Sequence, residues 1–257
     1  YVRPQTLDAA WELNQKKRNR VVAGAMWLKM GGHSFDTAID LCDLGLNAIE
    51  EDAGEFRIGA MVTLRQLEKH AGLAEYSCGA VASALKDIVG VQFRNGATLG
   101  GSLWRRMGFS DVLTVFMAMD SYVELHKGGI VALDEFANMP YDDDILVRLI
   151  VKKRPGAFAY QAVRKQRTDL PSLTCAAACL DGSYRVVVGS RPARAVMLLD
   201  EWGVLASGVT EASAAAFADY AAGAVAISGN MWGSAEYRRA LVPVLVRRVL
   251  LGLGEVR

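Results

Sequence analysis

The chain has 257 residues, enough to bury a large core and to divide into two domains or subdomains. Hydrophobic residues make up 52%, aromatic residues 8% and charged residues 22%, which excludes a disordered or fibrous protein. A formal net charge of +1 gives no footing for nucleic-acid binding, which needs clustered positive charge.

The first residues are polar and helix-like and do not read as a signal peptide. Leu7, Ala10, Trp11 and Leu13 fall at helical spacing within residues 6–18, with Thr6 as N-cap. The basic run Lys16, Lys17, Arg18 and Arg20 is interrupted by Asn19 and reads as the solvated end of that helix. RVVAGAM then reads as a short buried strand running into Gly24, with further strands at TAIDL (37–41) and EFRIGAMV (55–62). Thr63 is placed to cap a helix over LRQLEKHA, and a longer helix is expected over 78–89. Two adjacent glycines follow in TLGGSL (98–103), flanked by small hydroxyl residues and succeeded by Trp104, Arg105 and Arg106. Ser110 reads as the N-cap of the next helix, with Asp111 in its first turn.

SYVELH and IVALDE read as a hairpin across Lys127-Gly128-Gly129. DDDILVRLIVKK reads as a strand, with GAFAYQAVRKQR as its antiparallel neighbour after the turn at Arg154-Pro155-Gly156. Residues 172–189 read as a hairpin joined at Asp181-Gly182. From 193 onward the chain is expected to be mostly helical, with an alanine-rich segment (211–225) and a final helix (234–253) that Pro243 interrupts or kinks. Short strands, many of them antiparallel, mixed with helices argue an α+β fold, with a domain boundary near Arg154-Pro155. The most apolar stretches are broken well short of a membrane span, so the chain reads as soluble.

Two glycine elements invite a chemical reading: VVAGAMWL (21–28) and TLGGSL. A diphosphate needs donors that approach without side-chain obstruction, which glycine amides with neighbouring hydroxyls supply. Neither element matches G-x-G-x-x-G or the P-loop spacing, and each taken alone reads as a plain turn. Asp111 reads either as a first-turn carboxylate or as an acceptor for a sugar or ribityl hydroxyl, and Trp104 either as core or as a cofactor platform. Cys42, Cys78, Cys175 and Cys179 show no metal-binding spacing, and His33, His70 and His126 have no i,i+4 partner, so no metal site is expected. The cysteines show no disulfide framework and fit a reducing, cytoplasmic home. No G-x-S-x-G elbow or Cys–His pair supports hydrolysis. Asp142, Asp143 and Asp144 read as a loop or strand cap, because successive strand residues do not aim at one cation.

In order, VVAGAMWL, FRIGAMVTLRQLE, FRNGATLGGSL, SDVLTVFMAMDSYVEL, FAYQAVRKQRTDLPSL and SAEYRRALVPVLVRRVL make the chain resemble the FAD-binding (medium) subunit of the molybdenum hydroxylases. That family includes xanthine dehydrogenase and aerobic carbon monoxide dehydrogenase. The resemblance implies a two-subdomain FAD-binding fold of the vanillyl-alcohol-oxidase (PCMH) type over 1–154. A smaller α+β domain of the carbon monoxide dehydrogenase flavoprotein type would then cover 155–257. It implies that both glycine loops hold the FAD diphosphate through backbone N–H groups. Carried over by position, the first loop is Val21, Val22, Ala23, Gly24, Ala25, Met26, Trp27 and Leu28, and the second is Thr98, Gly100, Gly101 and Ser102 with the residue between. Ile88 takes the place of an apolar residue near the adenine, and Trp104 that of an apolar residue against the isoalloxazine. Asp111 corresponds to the acid that hydrogen-bonds flavin hydroxyls, and Leu146 to a strand residue packing on the cofactor. Gln161 stands where the family often has a basic residue; Lys165, four residues on and on the same strand face, is expected to substitute.

The implied activity is that of an electron-transfer flavoprotein subunit, with no catalytic acid or base of its own. The implied partners are an iron–sulfur ([2Fe–2S]) subunit and a molybdopterin subunit, with NAD as one electron acceptor. Ala25-Met26-Trp27 is bulkier than the family's first loop and keeps open a non-catalytic assembly subunit that has lost FAD. A self-contained flavin reductase of the same fold is the other alternative.

Overall fold

The computed structural model describes residues 1–32 and 34–254; His33 lies outside the described residues. Helix α1 (Leu7–Asn14) starts where the sequence predicts, with the Ala9 N–H donating to Thr6 Oγ1 at 3.1 Å. Strands β1 (Asn19–Val22) and β2 (Thr37–Asp40) pair in parallel. Parallel neighbours cannot be joined by a tight hairpin, so the chain between them must cross over. That crossover carries the Gly24 loop and a 3₁₀ turn at Leu28–Met30.

Strand β3 (Ile49–Glu51), which the sequence pattern does not reveal, pairs with β4 (Glu55–Gly59). Thr63 and Gln66 then form a full capping box for α2 (Leu64–Lys69). Four short helices follow: α3 (Ala71–Tyr76), α4 (Ala80–Leu85), α5 (Val91–Gly96) and α6 (Leu99–Trp104). The helix expected over 78–89 is shorter because Cys78, Gly79 and Val89 all adopt positive φ (53°, 78° and 49°), which helical backbone does not tolerate. Helix α7 (Asp111–Ala118) is buried at every residue and forms the centre of the molecule.

Strands β5 (Ser121–Leu125) and β6 (Gly129–Ala132) form the expected hairpin, but the chain turns at Ala132 into α8 (Leu133–Asn138) rather than continuing the strand. Strand β7 (Leu146–Lys152) completes a five-stranded antiparallel sheet of order β3-β4-β7-β5-β6.

One expected pairing does not form. β8 (Gly156–Val163) pairs with β9 (Leu173–Leu180), not with β7, and joins β10 (Ser183–Gly189) and β11 (Val196–Leu199) in a separate antiparallel sheet of order β11-β10-β9-β8. The turn at 154–156 therefore passes the chain from one sheet to the other. Gly156 lies against the Cys179 carbonyl so closely that an added Cβ would sit 2.3 Å from its oxygen, and the Asp181 N–H donates to the Pro155 carbonyl at 3.0 Å. β11 also falls where mostly helix is expected. The Asp181-Gly182 turn forms as predicted, with both residues at positive φ (48° and 81°).

Both faces of this second sheet are covered, which explains why LTCAAACL carries no polar alternation. Leu173, Cys175 and Ala177 face α9 (Glu211–Ala224) and α10 (Ala235–Gly254), while Ala176, Ala178 and Leu180 join the core around α7. α10 runs unbroken through Pro243, whose missing hydrogen bond falls on the carbonyl of exposed Arg239. A smaller cluster of Ala10, Ile39, Leu41, Leu46, Ile145 and Val147 ties the parallel pair to β7.

Candidate functional site

The Gly24 loop covers a cleft of about 710 Å³, within the range of about 300–1,000 Å³ usual for organic ligands. The loop is held down by close backbone contact. A Cβ on Gly24 would sit 1.6 Å from the Gly96 carbonyl oxygen at the end of α5, and a Cβ on Gly96 would sit 2.2 Å from the Met26 methyl. Ala25 takes φ +54°, an unusual conformation for a residue with a side chain. Trp27 stays 47% exposed, its ring centroid 5.8 Å from that of Phe109. The backbone N–H groups of Gly24, Ala25, Met26 and Trp27 donate to no acceptor among the described residues. Four successive amides left open beside a cleft are an anion cradle.

The second glycine element is built differently. The Leu99 N–H donates to the Val62 carbonyl and the Gly100 N–H to the Ala60 carbonyl, each at 2.8 Å. The Gly101 N–H reaches Thr98 Oγ1 at 3.2 Å and the Ser102 N–H the Thr98 carbonyl at 3.1 Å. Its amides are thus engaged within the chain, whereas those of Gly24–Trp27 in the first loop are not. Gly100 is needed for packing instead, since a Cβ there would sit 2.8 Å from the Ala60 Cβ and carbonyl oxygen.

Val21 to Leu28, Ile88, Thr98, Gly100, Gly101, Ser102, Trp104, Asp111 and Leu146 all border this one cleft. Lys165 does not. β8 ends at Val163, so the alternation that would place Lys165 beside Gln161 has stopped, and its Nζ donates to the Met231 carbonyl at 3.0 Å. Trp104 is half-buried, its ring centroid 6.1 Å from that of Phe136. The Arg106 guanidinium lies 3.9 Å from the Phe136 ring centroid and 5.3 Å from that of Trp104, which fixes the indole at the cleft wall.

Asp111 is almost wholly buried where α7 meets β8. Its Oδ1 accepts from the Tyr160 hydroxyl and from Arg164 Nη2, the latter at 2.6 Å. Burial pushes its carboxyl up to about 6, against the opposing pull of Arg164 and of the Tyr160 hydrogen bond. The sequence reading missed Tyr160 and Arg164 as partners of this acid, and it missed Thr168, Asp169, Leu170 and Pro171, through which the chain after β8 reaches the cleft. The cue for the partners was Asp111 itself, an acid at the start of a helix whose other residues, Thr114 excepted, are apolar, which burial obliges to find a cation.

Among the described residues no group of three or more His, Cys, Asp or Glu side chains is placed to hold a metal ion. No helix among them is long and apolar enough to cross a membrane.

A loop of open amides, an aromatic wall and a buried acid border one cleft, an arrangement that can take a phosphate-bearing aromatic cofactor. Residues 1–153 match the family described as "FAD binding domain in molybdopterin dehydrogenase", and the chain belongs to that family of FAD-binding oxidoreductase components. It is 27% identical over 252 residues to the uncharacterized protein YgfM of Escherichia coli (strain K12), covering 96% of this chain and 93% of YgfM. It is 26% identical over 275 residues to the nicotine 6-hydroxylase medium subunit of Paenarthrobacter nicotinovorans, covering 99% and 96%. In fold it is similar to the carbon monoxide dehydrogenase of Hydrogenophaga pseudoflava, with a TM-score of 0.87, 21% identity and 100% and 97% of the two chains covered.

Proposed function

We propose that this chain is the FAD-binding electron-transfer subunit of a cytoplasmic molybdenum hydroxylase complex, receiving electrons from an iron–sulfur subunit served by a molybdopterin subunit. Residues 1–154 form the two-subdomain, PCMH-type flavin domain in this reading, and 155–257 the smaller domain that closes over it. The observation that carries it is the run of four open amides at Gly24–Trp27, facing a cleft that Trp104 and Asp111 also border.

The residues fit the cofactor. The Gly24–Trp27 amides would take the diphosphate oxygens, and the hydroxyl of Thr98, whose oxygen already accepts from Gly101, keeps its own hydrogen to donate. Trp104 offers an indole face for the isoalloxazine and Ile88 an apolar surface for the adenine. On Asp111 both side-chain donors converge on Oδ1, which leaves Oδ2 for a ribityl hydroxyl. Bound FAD supplies the redox chemistry, accepting electrons and passing them to NAD⁺ or another acceptor. The chain itself binds the cofactor, excludes water with Trp27 and Met26, and sets the local field; no residue of it is assigned proton transfer.

The test is purification followed by reconstitution. The account predicts a yellow protein carrying one FAD, which copurifies with an iron–sulfur and a molybdopterin protein and oxidises NADH poorly alone. A colourless protein that refuses added FAD supports an assembly subunit closed off by Ala25-Met26-Trp27. Rapid NADH oxidation by the isolated chain supports a self-contained reductase.

A further inference from the structure

A second cavity, of about 390 Å³, opens beside the FAD cleft and has the opposite character. The end of α4 contributes Ser83 and Lys86, and the chain leaving β8 contributes Arg164, Lys165 and Arg167. Two of these cations are already engaged: Arg167 Nε reaches Asp87 Oδ1 at 2.8 Å, and Lys165 Nζ the Met231 carbonyl. Lys86 is exposed and finds no acceptor among the described residues.

Arg164 is the telling residue. Its side chain is only 8% exposed, Nη2 is spent on Asp111, and Nη1 is buried with no hydrogen-bond partner. A guanidinium removed from water with one nitrogen unsatisfied is unfavourable unless a ligand completes it. Asp111 fixes that guanidinium in advance, so a ligand meets a donor whose side-chain freedom is already lost.

We propose that this cavity is a second ligand site, for a phosphate group, held by the Arg164 guanidinium and Lys86 with Ser83 as a hydroxyl donor. Phosphate matches this set because it accepts several charge-assisted hydrogen bonds at once from directions that guanidinium and ammonium donors supply together. The cavity exceeds the size of the ion itself, and leaves room for the organic part of a phosphate ester. The site stands on its own geometry and needs no FAD in the neighbouring cleft. The Tyr160–Asp111–Arg164 cluster forms the wall between the two cavities and keeps them separate.

Isothermal titration of the full chain with inorganic phosphate and, separately, with AMP tests this, at constant ionic strength maintained with chloride. Saturable binding of one phosphate per chain is expected, weakened about tenfold or more by Lys86→Ala, equivalent to about 1.4 kcal/mol. Arg164→Gln is expected to abolish it, and Arg248→Ala, an exposed change on α10, to leave it intact. Lys86 is exposed, so Lys86→Ala keeps the test valid even if Arg164→Gln fails to fold. AMP tighter than inorganic phosphate identifies a phosphorylated nucleotide as the occupant; equal affinities identify free phosphate. Heats that do not saturate, or equal affinity in wild type and Lys86→Ala, overturn the proposal. So does loss of phosphate binding on saturation with FAD, which would place the phosphate in the FAD cleft. Flavin absorbance of the same samples separates the two claims: phosphate bound without flavin defeats the FAD reading alone, and flavin without phosphate defeats this one alone.

Discussion

Replacing Gly24 with alanine tests how the first loop is held. The new Cβ would sit 1.6 Å from the Gly96 carbonyl oxygen, and both sides of that contact are backbone. No rotamer change relieves it; loop and helix end must part by more than an ångström. The amides of Gly24–Trp27 move with the loop, away from the positions that grip a diphosphate. Overpacking of this kind costs about 1–3 kcal/mol, and if the loss falls on the bound geometry, FAD affinity drops roughly 5- to 150-fold. Gly101→Ala is the matched control at the second glycine element. Its Cβ would meet nothing nearer than Thr98 Oγ1 at 3.3 Å, and the amides around it are engaged internally. The assay is fluorescence titration of apoprotein with FAD, with thermal unfolding in parallel. Gly24→Ala binding FAD as wild type does, at unchanged melting temperature, would refute the reasoning.

Ala25→Gly is expected to stabilise the apoprotein by about 1 kcal/mol, because glycine occupies positive φ without the Cβ penalty; unchanged chemical denaturation would show that the loop does not hold that conformation. Trp104→Ala is expected to weaken FAD binding or alter the rate of flavin reoxidation, and wild-type values for both would remove the indole from the cofactor wall. Asp111 gives a pH prediction. Its folded-state carboxyl titrates at about 6, above the ordinary 3.8, so the folded protein keeps a proton that the unfolded chain releases between those values. The stability it contributes is therefore greatest below about pH 4 and falls by up to about 3 kcal/mol as pH rises through 6. Urea denaturation of wild type against Asp111→Asn across that window should show wild type losing ground with rising pH; a flat or opposite difference contradicts the assignment.

The parts legible in the sequence are those decided locally. Thr6, Thr63 and Ser110 cap the helices they precede, and Asp181-Gly182 turns a hairpin, because each needs only a few neighbouring residues. The partner of β8 was not legible, since alternation within a strand says nothing about which strand lies beside it. Burial of Phe158 and Tyr160 against the central core decided that, at long range. The same limit applied to the site. The family resemblance, not either glycine element alone, named one set of cofactor residues, and all of them but Lys165 border one cleft. What two similar glycine motifs cannot show is that the Val62 and Ala60 carbonyls claim the amides of one and leave the other open. Nor does a lone Asp111 reveal that Arg164 and Tyr160 already hold it.

Amide hydrogen exchange, measured residue by residue with and without FAD, tests the central claim most directly. The account predicts that FAD slows exchange at Gly24, Ala25, Met26 and Trp27, and leaves Leu99 to Ser102, protected beforehand by their internal bonds, nearly unchanged. Protection confined to the second glycine element, or none at the first, would contradict it.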